Sequence, residues 1–311
     1  MHGRGINYDT GFLPGLASRP GFDPDTVRRD MGTIAADLHC DTVRISGGDL
    51  DRLDVAAGAA AKRGLRIWYC PFPVDLPPAG MTELFVNGAV RAERLRRRGA
   101  DVVYLTGCEL SLFGAGFLPG DTYRDRLAAI ATADLDWWLS LGPVAERVNE
   151  FLAATVARVR AVFGGAVSYA SGAWETVDWT PYDLVGVDAY RTAHNAASYR
   201  ELLLEQFGYG KPVAVTEFGT CPYRGAADRG GNAWQPPDGA VRDEQEQVRY
   251  LTELLDVFEA VGVHTALWFT FADFLRTGDA DLGSYGVVGV GADGARTRRA
   301  VFTAMAARYQ R

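Results

Sequence analysis

Apolar runs of strand length alternate with capped helical segments along the 311 residues, and two of those runs end in a glutamate. Three long connections follow runs four, seven and eight. These observations predict an α/β fold, specifically a single-domain (β/α)8 TIM barrel with its long loops on the face where barrel enzymes keep their site. With 48% hydrophobic and 23% charged residues the chain can bury one large core, and such a barrel takes ~250 residues before insertions. No internal repeat, low-complexity tract or linker divides it, so 1–311 is expected to be one domain.

Residues 5–8 (Gly-Ile-Asn-Tyr) open the chain as strand one. Asp23 caps a first helix that starts with Pro24 and runs to about Ala36. Strand two is expected over 38–45, with Cys40, Thr42 and Arg44 sharing one face by the period of two. An alanine-rich helix over 51–63 ends at Gly64, strand three covers 65–71, and a third helix over 82–98 closes at Gly99. Strand four, 101–109, is followed by a long connection through Trp137 and Trp138 to a helix over 143–163. Strands five (166–170) and six (184–190) flank a short helical turn expected at 174–177. A helix over 197–207 precedes strand seven, 211–219, and a loop over 220–240 leads to a helix over 242–261. Strand eight is 264–269, and a last helix covers 297–308.

Charge and motifs exclude several classes. A net charge of −7 and a pI of about 5.2 do not suit nucleic acid or an anionic membrane. No apolar run approaches the ~20 residues of a membrane span, and residues 1–5 lack a basic-then-apolar signal, so the expected location is the cytoplasm. Cys40, Cys70, Cys108 and Cys221 show no CxxC spacing, and free buried thiols fit them better than disulfides or zinc. The GxGxxG match at 289–294 follows no strand-and-helix context and reads as an Asp-Gly turn. The arginine run at 94–98 lies in a last helical turn, where cations complement the dipole. No P-loop, HExxH or nucleophilic-serine elbow is present.

The chemistry is expected at the two glutamates. Lys211 to Gly219 reads as a buried parallel strand that delivers Glu217 to its C-terminal mouth, and Asp101 to Glu109 has the same shape. Two such strands on one barrel make a carboxylate pair. The bland alternative is two buried acids held in salt bridges.

Val43-Arg44, Glu109, Tyr190, Thr216-Glu217-Phe218-Gly219 and Trp268 together carry a resemblance. Over essentially its whole length the chain resembles the glycoside hydrolase superfamily of (β/α)8 barrels, clan A, with catalytic glutamates ending strands four and seven. It also resembles uncharacterised actinobacterial barrels loosely labelled abortive-infection proteins, a label without chemical content. The first resemblance implies Glu109 as acid/base, Glu217 as nucleophile, Arg44 and Tyr190 as its hydrogen-bonding partners, and Trp268 as a sugar platform. Trp68 also ends a strand and is a second candidate for stacking. Asp188 and Asp273 are candidate contacts for substrate hydroxyls, and His194 reads as a loop histidine. The superfamily usually has Asn before the strand-four glutamate, where it binds the hydroxyl next to the anomeric carbon; here that residue is Cys108, a weak hydrogen-bonding group.

The expected activity is therefore that of a retaining glycosidase on a small-molecule or oligosaccharide substrate, with no cofactor and no metal. Cys108 motivates a second expectation, a pathway enzyme performing proton transfer, cyclisation or transglycosylation with the same carboxylates. A non-catalytic carbohydrate-binding barrel is the third. Oligomeric state is left open by the sequence.

Overall fold

Strict alternation along the strands builds the molecule. Ile6 and Tyr8, Val43 and Ile45, Ile67 and Tyr69, and Val213 and Val215 point outward into one large apolar layer beneath the helices. The intervening Trp68, Cys70, Leu105, Ala214 and Leu267 fill a smaller interior cluster. Two nested cores separated by one layer of strands define a barrel whose interior is packed with side chains.

The computed structural model describes residues 1–310. Its strands are β1 (Gly3–Asp9), β2 (Thr42–Gly47), β3 (Arg66–Pro71), β4 (Val102–Cys108), β5 (Ala166–Ala170), β6 (Val185–Asp188), β7 (Val213–Phe218) and β8 (Thr265–Trp268). They run in the order β5-β4-β3-β2-β1-β8-β7-β6, and every named pair is parallel. The ring closes between β5 and β6 at Ser171, whose N–H donates to the Gly186 carbonyl at 3.0 Å and whose own carbonyl accepts from Asp188 at 2.8 Å. Gly186 is needed there, because a Cβ would lie 2.1 Å from the Tyr169 carbonyl oxygen.

The helices between strands are α1 (Pro24–Ala36), α2 (Leu50–Ala61), α3 (Pro78–Arg97), α4 (Leu110–Phe113), α5 (Tyr123–Ala131), α6 (Leu135–Leu139), α7 (Gly142–Arg160), α8 (Tyr199–Gln206), α9 (Glu244–Val261) and α10 (Ala300–Tyr309). Aspartates cap several of them: Asp23 at α1, Asp49 at α2 and Asp243 at α9 each accept backbone N–H groups of the first turn. The eight strands and the helices that wrap them form the (β/α)8 TIM barrel expected from the sequence. Its three long insertions follow β4, β7 and β8, as expected, and the last contains a hairpin of β9 (Val288–Val290) and β10 (Arg296–Arg298). The glycine-rich 289–294 stretch covers the end of β9 and the turn of that hairpin, with the Asp293 carboxylate accepting the Ala295 N–H. In the arginine run, Arg96 and Arg97 are paired with Glu93.

Two expectations are corrected. Strand two begins at Thr42 rather than residue 38, so Cys40 lies outside it and packs in the outer layer instead of sharing the face of Arg44. Residues 174–177 form no helix; they are a loop pinned by Glu175, which accepts from the Ser111 N–H at 2.9 Å, the Gly172 N–H at 3.1 Å and the Tyr169 hydroxyl at 2.8 Å. All four cysteines are free and buried. Among the described residues no helix is long and apolar enough to cross a membrane.

Candidate active site

Irregularities in two strands aim the functional side chains inward. Pairing of β7 with β8 shifts register between Val215 and Phe218, so Thr216 and Glu217 both reach the barrel interior while Phe218 returns to the outer layer. The β4–β5 pairing shifts likewise between Leu105 and Cys108. There Gly107 has φ +101° and Glu109 itself is left-handed at φ +45°, an unusual conformation for a residue with a side chain. This turn points Cys108 and Glu109 at the mouth.

Glu217 is held on both oxygens. Arg44 Nη1 donates to Oε1 at 2.8 Å and the Tyr190 hydroxyl donates to Oε2 at 2.9 Å. The Cys108 thiol lies 3.7 Å from Oε1 and 3.4 Å from Oδ2 of Asp188, whose Oδ1 accepts from Thr216 Oγ1 at 2.7 Å. Arg44 is fully buried, with Nη1 also 3.8 Å from Asp188, whereas the Glu217 side chain keeps 12% exposure toward the cavity. Burial works against charge on Arg44, but the acids around it outweigh that effect and the guanidinium stays protonated. Burial pushes the Asp188 carboxyl and the Cys108 thiol well up, each helped by neighbouring negative charge. Burial likewise raises the Tyr190 hydroxyl, which stays a donor to Glu217.

Glu109 shares a cavity of about 80 Å³ with Glu217. Burial, followed by the charges of Asp188, Glu217 and Glu175, drives its carboxyl well above the ordinary carboxylate range. One acid kept protonated beside a second in contact with a guanidinium is an arrangement suited to acid/base work on a bond between them.

The residues expected at the site separate into three groups. Glu109, Glu217 and Cys108 line the cavity, and Arg44 and Tyr190 reach it through Glu217. Asp188 is buried beneath it with both oxygens engaged, so it supports the network rather than facing the cavity. Neither tryptophan offers a free face, which corrects the expectation of stacking platforms. Trp68 fills the barrel interior under the cavity, and Trp268 points outward, edge-on to Phe218 and Tyr250, with its indole N–H on the Tyr285 carbonyl. Of the two other residues weighed, Asp273 is tied to Arg276 at 3.0 Å and His194 is an exposed loop residue.

Sequence reasoning missed nine of the twelve lining residues, and five of these give the cavity its aromatic and acidic character. Phe269 follows Trp268 and takes the inward face that Trp268 does not. Phe12, Phe72 and Phe113, from the connections after β1, β3 and β4, pack together on one wall with ring centroids 4.6 to 6.4 Å apart. Asp9 ends β1 at the cavity, and burial pushes its carboxyl up to about 6. The only available signal was position at a strand's C-terminal end.

Cys108, Asp188 and Glu217 bring potential metal-ligand atoms within 4.8 Å of one another. Their chemistry does not favour a cation. The guanidinium of Arg44 already contacts this cluster, and the thiol is pushed toward its protonated form.

No protein-family model and no curated protein sequence matches the chain, and the abortive-infection label gains no support. Solved structures do match in fold. A GH113 β-mannanase from Alicyclobacillus acidocaldarius superposes with TM-score 0.66 at 15% identity, over 99% of this chain and 97% of that one. A β-glucuronidase from Ruminococcus gnavus gives 0.59 at 15% identity, over 99% of this chain and 49% of that one. Bacteroides uniformis β-glucuronidase 2, as a calcium-binding mutant, gives 0.65 at 16% identity, over 99% and 34%.

Proposed function

We propose that the protein is a retaining glycoside hydrolase acting on a sugar-containing small molecule or oligosaccharide, with Glu217 as nucleophile and Glu109 as acid/base. The observation that carries this reading is the clamp on Glu217: one oxygen on Arg44 and the other on Tyr190, with the carboxylate facing a cavity shared with Glu109. In such a pair Glu217 attacks the anomeric carbon while protonated Glu109 gives its proton to the leaving oxygen, and Glu109 then takes a proton from the water that releases the sugar. Arg44 orients the nucleophile, and the burial of Glu109 supplies an acid at neutral pH. The solved neighbours named as mannanases and glucuronidases support a glycosidic substrate. As in the sequence reading, we place the activity in the cytoplasm and in a single domain.

Cys108 favours a second reading, a non-hydrolytic enzyme using the same carboxylates. Its thiol faces Asp188 and Glu217 where an amide would hold a substrate hydroxyl more strongly. The test is turnover of a panel of aryl glycosides followed by proton NMR of the first sugar released. Release with the starting anomeric configuration, lost in Glu217→Ala, supports the hydrolase. Inverted product contradicts the retaining mechanism, and absence of turnover across the panel favours the second reading or a binding role.

A further inference from the structure

The cavity carries a charge pattern of its own. Asp9, Glu217 and the protonated Glu109 line it, and no lysine, arginine or histidine among the described residues does. Two arginines that contact these acids are spent internally. Arg44 is fully buried against Glu217 and the Thr216 carbonyl, and Arg19 is 1% exposed, donating to the Asp9 carbonyl at 2.6 Å and packing over Tyr8 and Phe274. The aromatic trio of Phe12, Phe72 and Phe113 lines the same cavity. Aromatic faces attract cations, and carboxylates do so more strongly when water is excluded.

We propose that this cavity selects its substrate by charge, preferring a sugar ring that bears a protonated amine over a neutral ring and excluding a uronic acid, with Asp9 as the residue that sets the preference. This rests on the glycosidase reading of the same site. A bound carboxylate would sit among acids with no cation facing it, which is the unpaired buried charge that proteins avoid. An ammonium would meet Asp9 and the phenylalanine faces. The raised proton affinity of Asp9 agrees: burial outweighs the Gly11 N–H, the Ser18 hydroxyl and the Arg19 charge that favour its ionised form, so the carboxylate gains from a further cation beside it.

The test compares kcat/KM near neutral pH for nitrophenyl glycosides of the gluco, manno and galacto series, each in neutral, 2-amino and uronic form. It is run on wild type and on the near-isosteric Asp9→Asn. The expected ranking places amine above neutral by at least about tenfold and the uronide at least about a hundredfold below neutral, with the amine preference reduced to near unity in Asp9→Asn. A uronide within tenfold of the neutral glycoside, an amine no better than neutral, or an unchanged preference in the variant overturns the proposal. If no glycoside is cleaved, the hydrolase reading fails separately. Ligand-observed NMR of free glucosamine, glucose and glucuronate then reads the charge preference alone: tighter binding of the amine supports it, and equal or absent binding overturns it.

Discussion

Arg44 Nη1 lies 2.8 Å from Oε1 of Glu217 and 3.8 Å from Asp188, so one fully buried guanidinium serves two acids that face each other across the strand ends. Removing it takes the cationic partner from Glu217 and the neighbouring charge from Asp188. Arg44→Met is expected to lower kcat at least about 100-fold and to cost about 3–5 kcal/mol of stability, as for other buried pairs broken on one side. Steady-state kinetics and urea unfolding read the two effects. Tyr190→Phe deletes a single bond to the same carboxylate and should cost about 1.5–3 kcal/mol in the barrier, roughly 10- to 100-fold in kcat.

Glu109 works as an acid only while protonated, and burial extends that range upward. Rate with a poor leaving group should therefore fall as pH rises through its elevated value. In Glu109→Gln the loss should be large for alkyl glycosides and small in the first step for dinitrophenyl glycosides, whose leaving oxygen needs no proton. Equal losses for both classes would remove Glu109 from the acid role.

The pH dependence of Asp9 gives a stability test. Its carboxyl rises from 3.8 to about 6 on folding because burial penalises the ionised form. A raised folded value stabilises the native state fully below the unfolded value, and that contribution is lost as pH rises through the folded one. Asp9→Asn should therefore gain in Tm relative to wild type above about pH 6. The gain should shrink toward pH 4. A difference that is flat with pH would show that Asp9 ionises without penalty.

The cysteines offer a simpler check. All four are buried, and burial raises every thiol, so little thiolate is present near neutral pH. Ellman's reagent should label none in the native protein over minutes and all four after unfolding. Rapid native labelling would show that the Cys108 turn opens.

How much of this was legible follows from the residues. The Val213 to Phe218 stretch could be read as a strand ending at Glu217 because a parallel strand buried on both faces leaves a continuous apolar run. The same holds for β4 and Glu109. Sequence could not show the register shifts in β4 and β7 that turn Cys108 and Glu217 inward, since they depend on pairing with β5 and β8. The expected Trp268 platform was one residue off: at the strand end its ring faces the helices and Phe269 faces the cavity. Trp68 does face inward but lies below the cavity. Asp9 was invisible because one acid at a strand end looks like any rim acid. Glu175 was hidden in a segment expected to be a helical turn, and one of its partners, Ser111, lies 64 residues away.

The central claim is that Glu217 is the nucleophile of a carboxylate pair. Its most direct test is intact-protein mass after incubation with activated 2-fluoro-glycosides, followed by peptide mapping. A mass increase of one fluoroglycosyl unit on Glu217, absent in Glu217→Ala, is the expected result. A label on another residue, or one that persists in Glu217→Ala, would contradict it.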